Sequence, residues 1–214
     1  MTFILNKTDS IANVFLADMR DVTTQQDRAR FRRSQQKLGA ILAYEISKTL
    51  KFESKEVQTP LGICKVNVPS QQPVLATILR AGLPFHQGFM DFFETSDSAF
   101  ITACRKTKKT GSFTIQVDHI SNPNLDGKVL IMIDTMLATG QSVVNVCKEL
   151  IAQYDIAELH VAAVIASAEG ITHVRANLPK AKIWTCAVDE EMTSKSYIVP
   201  GLGDAGDLAF GEKV

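Results

Sequence analysis

Residues 129–146 read VLIMIDTMLATGQSVVNV. Five apolar residues, Val129 to Ile133, run without alternation into a single acid, Asp134. A continuous run of this kind fits a strand of a parallel sheet covered on both faces. Thr135 to Gln141 then read as a loop carrying Ala138-Thr139-Gly140, and Ser142 opens an amphipathic helix. A helix N-terminus presents N–H groups without intrahelical partners and the positive end of the dipole, so it favours a phosphate. Thr139 and Ser142 can add hydroxyl donors, and Gly140 lets the main chain curl close to an anion. Asp134, at the strand tip, can accept hydrogen bonds from sugar hydroxyls. T-G-x-S alone also fits an ordinary capped turn; the apolar approach, the acid and the loop length together point to an anion site. G-x-x-x-x-G-K is absent and no Lys follows Gly140, so the segment is not a P-loop.

Working outward, four further runs have the same continuous character: VLATIL (74–79), AFITAC (99–104), LHVAAVIA (159–166) and IWTCAV (183–188). The stretches Gly82–Phe93, Ser142–Tyr154 and Glu169–Leu178 can be helical between them. This alternation predicts an α/β fold: an open, mostly parallel sheet with flanking helices and right-handed crossovers. An earlier helix is predicted from Thr24, with Thr24-Gln-Gln-Asp27 as a capping box and Phe31, Leu38, Ile41, Leu42, Ile46 and Leu50 on its apolar face. Residues 51–73 read as connecting strand and loop, broken by Pro60, Gly62 and Pro69. Residues 105–128 lack a helical pattern; Lys106 to Ser112 followed by FTIQV (113–117) predicts a β-hairpin projecting from the sheet at about 105–120. The whole chain, 1–214, is expected to form a single domain.

In open α/β sheets ligands bind beyond the carboxyl ends of the strands, and charged residues stand at those ends here. Arg80 closes the strand in ILRAG (78–82), and Arg105 follows AFITAC. Arg80 alone fits a structural ion pair as well as a phosphate fork. Two arginines at two strand ends, beside an anion loop at a third, suit a substrate with more than one phosphate. PGLGDAGD (200–207) matches G-x-G-x-x-G, yet Pro200 precedes it and only eight residues follow Gly206. No helix and second strand fit there, so it is not a dinucleotide fingerprint.

Bulk composition narrows the classes. The 214 residues are 45% hydrophobic and 21% charged, an ordinary globular balance. Net charge is zero and the sequence pI is about 6.9, so nucleic acid is not an expected partner. The local clusters Arg28–Arg33 and Arg105–Lys109 read as solvated faces. The four cysteines form no C-x-x-C; Cys104, Cys147 and Cys186 lie in apolar stretches and read as small core residues. His86, His119, His160 and His173 assemble no visible base or metal set, and Trp184 reads as core. No signal peptide or membrane span is indicated, which suggests a cytoplasmic protein.

The strand–acid–loop resembles the phosphoribosyl pyrophosphate (PRPP) motif of the type I phosphoribosyltransferases. Within that group, D-x-M-L-A-T-G (134–140), I-L-R-A-G (78–82) and Y-I-V-P-G-L-G-D-A-G-D (197–207) resemble the uracil phosphoribosyltransferases. The likeness runs nearly end to end, through Met19-Arg20-Asp21, Arg30-Phe31-Arg32, Leu42-Ala43-Tyr44-Glu45, Ala168-Glu169-Gly170 and Phe210-Gly211. It implies transfer of the phosphoribosyl group of PRPP to uracil, giving UMP and pyrophosphate. It implies a PRPP site of Arg80, Arg105, Asp134, Thr135, Met136, Leu137, Ala138, Thr139, Gly140, Gln141, Ser142 and Asp204, with Arg80, Arg105 and Asp204 catalytic. Uracil falls to Tyr197, Ile198, Gly203, Asp204 and Ala205, in a small hood at about 190–210. Mg2+ would be held mainly by PRPP itself, near Asp204, without direct protein ligands. A homodimer or higher homo-oligomer goes with the family, with parts of residues 31–50 at the contact.

The chain departs from the family pattern in four places: Thr135 and Ala168 stand where Pro is usual, Gln141 where a second Gly is, and the hairpin sequence at 106–120 does not match the family's. Gln141 would restrict the loop if that position needs positive φ. Two other readings remain open on sequence: a phosphoribosyltransferase for another base, and a nucleotide-sensing RNA-binding regulator using the basic face at 28–33.

Overall fold

The structure, a computed structural model, describes residues 1–107 and 113–213, and the side chains of residues 1–103 and 117–213. The chain opens with strand β1 (Thr2–Ile4), helix α1 (Ala12–Arg20) and the long helix α2 (Arg28–Ser47). Strands β2 (Phe52–Thr59) and β3 (Gly62–Pro69) precede β4 (Val74–Leu79) and α3 (Leu83–Met90). Strands β5 (Ser98–Thr107), β6 (Phe113–Ser121) and β7 (Val129–Leu137) lead to α4 (Gln141–Gln153). Then come β8 (Glu158–Ser167), α5 (Ala168–Asn177) and β9 (Lys182–Asp189). The chain ends in the short pair β10 (Glu191–Met192) and β11 (Ile198–Val199), followed by α6 (Ala205–Phe210).

Seven strands form one sheet in the order β1-β9-β8-β7-β4-β5-β6. Every pairing in it is parallel except β5 with β6. Alternate residues of each strand serve two cores, which is why the apolar runs are continuous. Leu75, Ile131, Ile133 and Trp184 pack on the side of α1, α2, α3 and α6. Ala76, Leu130, Met132 and Val161 pack on the side of α4 and α5. Among the described residues no helix is long and apolar enough to cross a membrane.

Several expectations are corrected. The helix predicted from Thr24 begins at Arg28; Thr24–Gln26 is a 3-10 turn, and Asp27 is itself the N-cap, accepting the Arg30 N–H at 3.0 Å. The hairpin expected to project is, at its base, the edge of the main sheet, because β6 pairs with β5 from Phe100↔Ser121 onward. Only its distal half, past the Leu79↔Thr102 pair where β4 ends, extends beyond the sheet. The 108–112 part of that expectation lies outside the described residues. Residues 51–73 hold a second hairpin: β2 and β3 pair antiparallel, with no third strand among the described residues, and nearly all their residues are exposed. β7 continues to Leu137, held by the Leu137↔Ala166 pair, so the loop after it is shorter than expected.

Trp184 is buried, and its indole N–H donates to His160 Nδ1 at 2.9 Å. Nδ1 is therefore the acceptor, and Nε2 carries the proton toward Glu158 Oε1 at 2.7 Å. Cys147 is fully buried, and burial pushes its thiol up to about 12. The Cys104 side chain lies outside the described residues. The basic stretch of α2 is turned to internal use: Arg30 pairs with Asp18 at 2.8 Å and Arg32 donates to Ala209 O at 2.7 Å.

Candidate active site at the strand tips

Leu79 pairs with Thr102 and Thr77 with Ile133, so Arg80 follows the end of β4, and Asp134, still within β7, lies one residue past its last pair with β4. The chain leaves β4 for β5 on one side and comes back to β7 on the other. The cleft therefore opens at the switch point of the sheet, where open α/β folds bind ligands. Its volume is about 840 Å3. Arg80, Asp134, Met136, Ala138 and Ser142 line it from the strand tips, and Tyr197, Gly203, Asp204 and Ala205 line it from the C-terminal hood. Asp118 on β6, Ser196, Glu212 and Lys213 also border it, none of which the sequence reading named.

The anion loop is short. Gly140 has φ +73 and caps α4, while Gln141 is already the first residue of the helix. The concern over Gln141 thus falls away, since the position of positive φ is Gly140 itself. A Cβ on Gly140 would lie 2.9 Å from Gly170 O, so the loop rests directly on α5. Ser167, the N-cap of α5, accepts the Gly170 N–H at 2.8 Å and donates its hydroxyl to Ala138 O at 2.5 Å. One side chain thereby fixes the loop to the next strand–helix turn. Thr139 Oγ1 accepts the Gln141 N–H at 3.4 Å.

Two residues of the expected PRPP set point elsewhere. Thr135 and Leu137 are buried, because β7 continues through them and their side chains enter the core. They can offer a ligand only main-chain groups. The Thr135 hydroxyl donates to Ala81 O at 2.6 Å and accepts from Gln35 Nε2 at 3.1 Å. Gln35, fully buried on α2, also reaches Ala81 O at 3.4 Å. These contacts tie the Arg80-Ala81 turn, the tip of β7 and α2 together. The Thr135 N–H donates to Asp134 Oδ1 at 2.7 Å, which steadies that carboxylate at the cleft edge.

Arg80 is 40% exposed and spans the cleft: its Nη2 lies 3.2 Å from Asp207 Oδ1 and 3.2 Å from Gly211 O. Arg105 lies in β5 opposite Ile115, and its side chain is outside the described residues. Asp204 is the N-cap of α6; its Oδ1 accepts the Gly206 and Asp207 N–H groups at 2.9 and 3.0 Å. Ile198 is 3% exposed and turns its side chain into the core, so its β11 backbone alone is near the base-reading segment. Arg20 and Asp189 hold the hood from beneath, with Arg20 Nη1 and Nη2 on the carboxylate at 2.8 and 2.9 Å. A signal for Asp189 existed: like Asp134, it follows a continuous apolar run.

The fold is that of solved phosphoribosyltransferases. The chain superposes on a hypoxanthine phosphoribosyltransferase from Staphylococcus aureus with a TM-score of 0.51, over 86% of this chain and 84% of the other, at 12% identity. A solved protein of Aquifex aeolicus matches all of both chains with a TM-score of 0.88 at 28% identity. A protein named uracil phosphoribosyltransferase in Porphyromonas gingivalis is 46% identical over 211 residues, 98% of each chain. One of the same name in Methanothermobacter thermautotrophicus is 41% identical over 187 residues, covering 86% of this chain and 85% of the other. The uracil phosphoribosyltransferase family model matches residues 7–212, and the chain belongs to that family.

Proposed function

We propose that the chain, acting as one domain, transfers the phosphoribosyl group of PRPP to uracil. The observation that carries this is the glycine-rich hood, Tyr197 to Asp207, closing over a strand-tip cleft that already holds an anion loop, an acid and an arginine. Uracil N1 attacks C1 of the ribose, the bond from C1 to the pyrophosphate oxygen breaks, and the N1 proton leaves to solvent or to pyrophosphate. Charge develops on the departing oxygens, so position and electrostatics dominate over covalent chemistry from side chains. The 5′-phosphate sits on the N-terminus of α4 beside Ser142, and Asp134 holds ribose hydroxyls. Arg80 exchanges Asp207 and Gly211 O for pyrophosphate oxygens, with Arg105 as its partner from β5.

Mg2+ fits this donor set. The carboxylates of Asp134 and Asp204 line the cleft, with Asp118 and Glu212 at its border. These would meet an ion carried by PRPP oxygens, whose contribution is to neutralise the leaving pyrophosphate. Tyr197, Gly203, Asp204 and Ala205 present main-chain donors and acceptors to the edges of a small planar base, joined by Ile198 through its backbone. A homo-oligomer fits the exposed β2–β3 ribbon better than α2, whose apolar face is buried within the chain; Leu61 and Ile63 stand open to solvent at 100% and 68%. Reduced surroundings suit Cys64, Cys147 and Cys186, all free, which fits the cytoplasm.

The test is incubation with PRPP, Mg2+ and one base at a time: uracil, hypoxanthine, guanine or orotate. UMP from uracil, with the others slower by orders of magnitude, is the expected result. Preference for a different base, or no nucleotide at all, would overturn the reading.

A further inference from the structure

Resting on the uracil reading, we propose that Arg20 and Asp189 are positioning residues for the base: together they set the main chain that reads it. Asp189 ends β9 and is 7% exposed; Arg20 ends α1. The guanidinium forks onto the carboxylate, and its Nη1 also donates to Gly201 O at 3.0 Å. Asp189 Oδ2 in turn accepts the Gly201 N–H at 2.9 Å. One ion pair thus holds both polar groups of a single hood residue. Gly201, at φ +57, can present both groups to it, and a Cβ there would lie 2.1 Å from Ile198 O. Gln25, with its amide nitrogen turned toward the carbonyls, donates to Met19 O and Leu202 O at 2.9 Å each. Residues 201 and 202 are therefore moored to α1 and the loop after it, immediately before Gly203 and Asp204 enter the cleft wall.

The need for such a mooring follows from how the hood works. A loop that recognises a planar base through its own N–H and C=O groups has no side-chain rotamer to readjust, so its backbone must be fixed by its surroundings. The fork is specific to arginine; a lysine ammonium cannot hold two carboxylate oxygens and a carbonyl in one plane. The base is read as a pattern of alternating acceptor, donor and acceptor, so a shifted loop loses both affinity and discrimination.

The test is steady-state kinetics of Arg20→Lys and Asp189→Asn, measured with uracil and PRPP varied in turn. The KM for uracil is expected to rise roughly tenfold or more, while that for PRPP stays within twofold. Discrimination against cytosine, which carries an amino group where uracil has a carbonyl, should fall in the same variants. A pair that only supports folding would lower the active fraction, reducing kcat and leaving both KM values unmoved. That outcome, or kinetics equal to those of the unmodified protein, overturns the proposal. Failure of both variants to fold would assign the pair to folding and overturn it equally. The unmodified protein, run alongside, separates the two failures: no UMP from it refutes the uracil reading itself.

Discussion

Thr135→Val isolates a single buried hydroxyl. The side chain is fully buried, donates to Ala81 O at 2.6 Å and accepts from Gln35 Nε2 at 3.1 Å. Valine has nearly the same shape but neither polar function. Ala81 O would keep only the 3.4 Å contact from Gln35, whose Oε1 already has no hydrogen-bond partner. Leaving a buried polar group without its partner costs about 1–3 kcal/mol, and two groups are affected. The added methyl returns about 0.8 kcal/mol. The expected net loss is therefore about 1–5 kcal/mol, centred at about 3 kcal/mol. Thr135→Ser is the control: it keeps the hydroxyl and loses one methyl, at about 1 kcal/mol. Urea unfolding followed by circular dichroism separates them, with a midpoint drop of about 1 M for Val if m is about 3 kcal/mol/M. Because Ala81 adjoins Arg80, the Val variant should also raise the KM for PRPP, and the Ser variant should not. A Val midpoint equal to or above that of Ser would refute the reasoning, since the hydroxyl would then contribute nothing.

Arg80→Ala should lower kcat at least tenfold by removing a charge-assisted contact to the leaving group; near-normal steady-state kinetics would remove Arg80 from the mechanism. Gly88→Ala should destabilise by about 3 kcal/mol or more, because a Cβ there would lie 1.9 Å from Gln36 O and 2.7 Å from Ala40 N, forcing α2 and α3 apart. A calorimetric melting temperature within two or three degrees of the parent would contradict that close approach. Acidification should destabilise the fold. Burial holds His86 and His160 below the ordinary histidine value of 6.5, so both stay neutral in the folded chain while the unfolded chain takes up protons. Their contribution is complete above pH 6.5 and is lost as pH falls below it, by up to about 1.4 kcal/mol per pH unit for each proton. Burial works to raise the Glu158 carboxyl, but the hydrogen bond from Lys182 and the neighbouring charges outweigh it and leave it below 4.5, so a further loss follows in stronger acid. Melting followed from pH 7.5 to 5 should give a falling midpoint, with a shallower fall in His160→Gln; an equal slope in that variant would count against the histidine.

The sheet was legible because burial on both faces writes an unbroken apolar run into each central strand. VLATIL, VLIMI and IWTCAV fall wholly within β4, β7 and β9. What escaped reading lacks that imprint. β1 is three half-buried residues whose strand character depends on pairing with β9 through Thr2↔Ile183. β2 and β3 face solvent almost throughout, so no alternation marks them, and only the Pro60-Leu61-Gly62 turn hinted at a hairpin. Thr24 imitated a cap because the residue types agree; the capping itself is done by Asp27, from the side-chain geometry of a single turn.

The site divides along the same physical line. Arg80, Asp134, Ala138 and Ser142 line the cleft, and sequence could put them on one side of the sheet because each is set by its own strand and the turn after it. Their supports act across the chain: Gln35 reaches Thr135 over 100 positions, Arg80 reaches Asp207 over 127, and Arg20 reaches Asp189 over 169. No local pattern encodes such a pair. Thr135 was read as a ligand because the loop was taken to begin there, and only the continued ladder of β7 on β8 turns it inward. Asp134 and Asp189 make the point most directly. Both are aspartates that follow a continuous apolar run of a buried parallel strand, and by sequence either could be the one that meets a sugar. What separates them is their surroundings: Asp134 lines the cleft, whereas Asp189 accepts from both terminal nitrogens of Arg20 and from the Gly201 N–H beneath the hood.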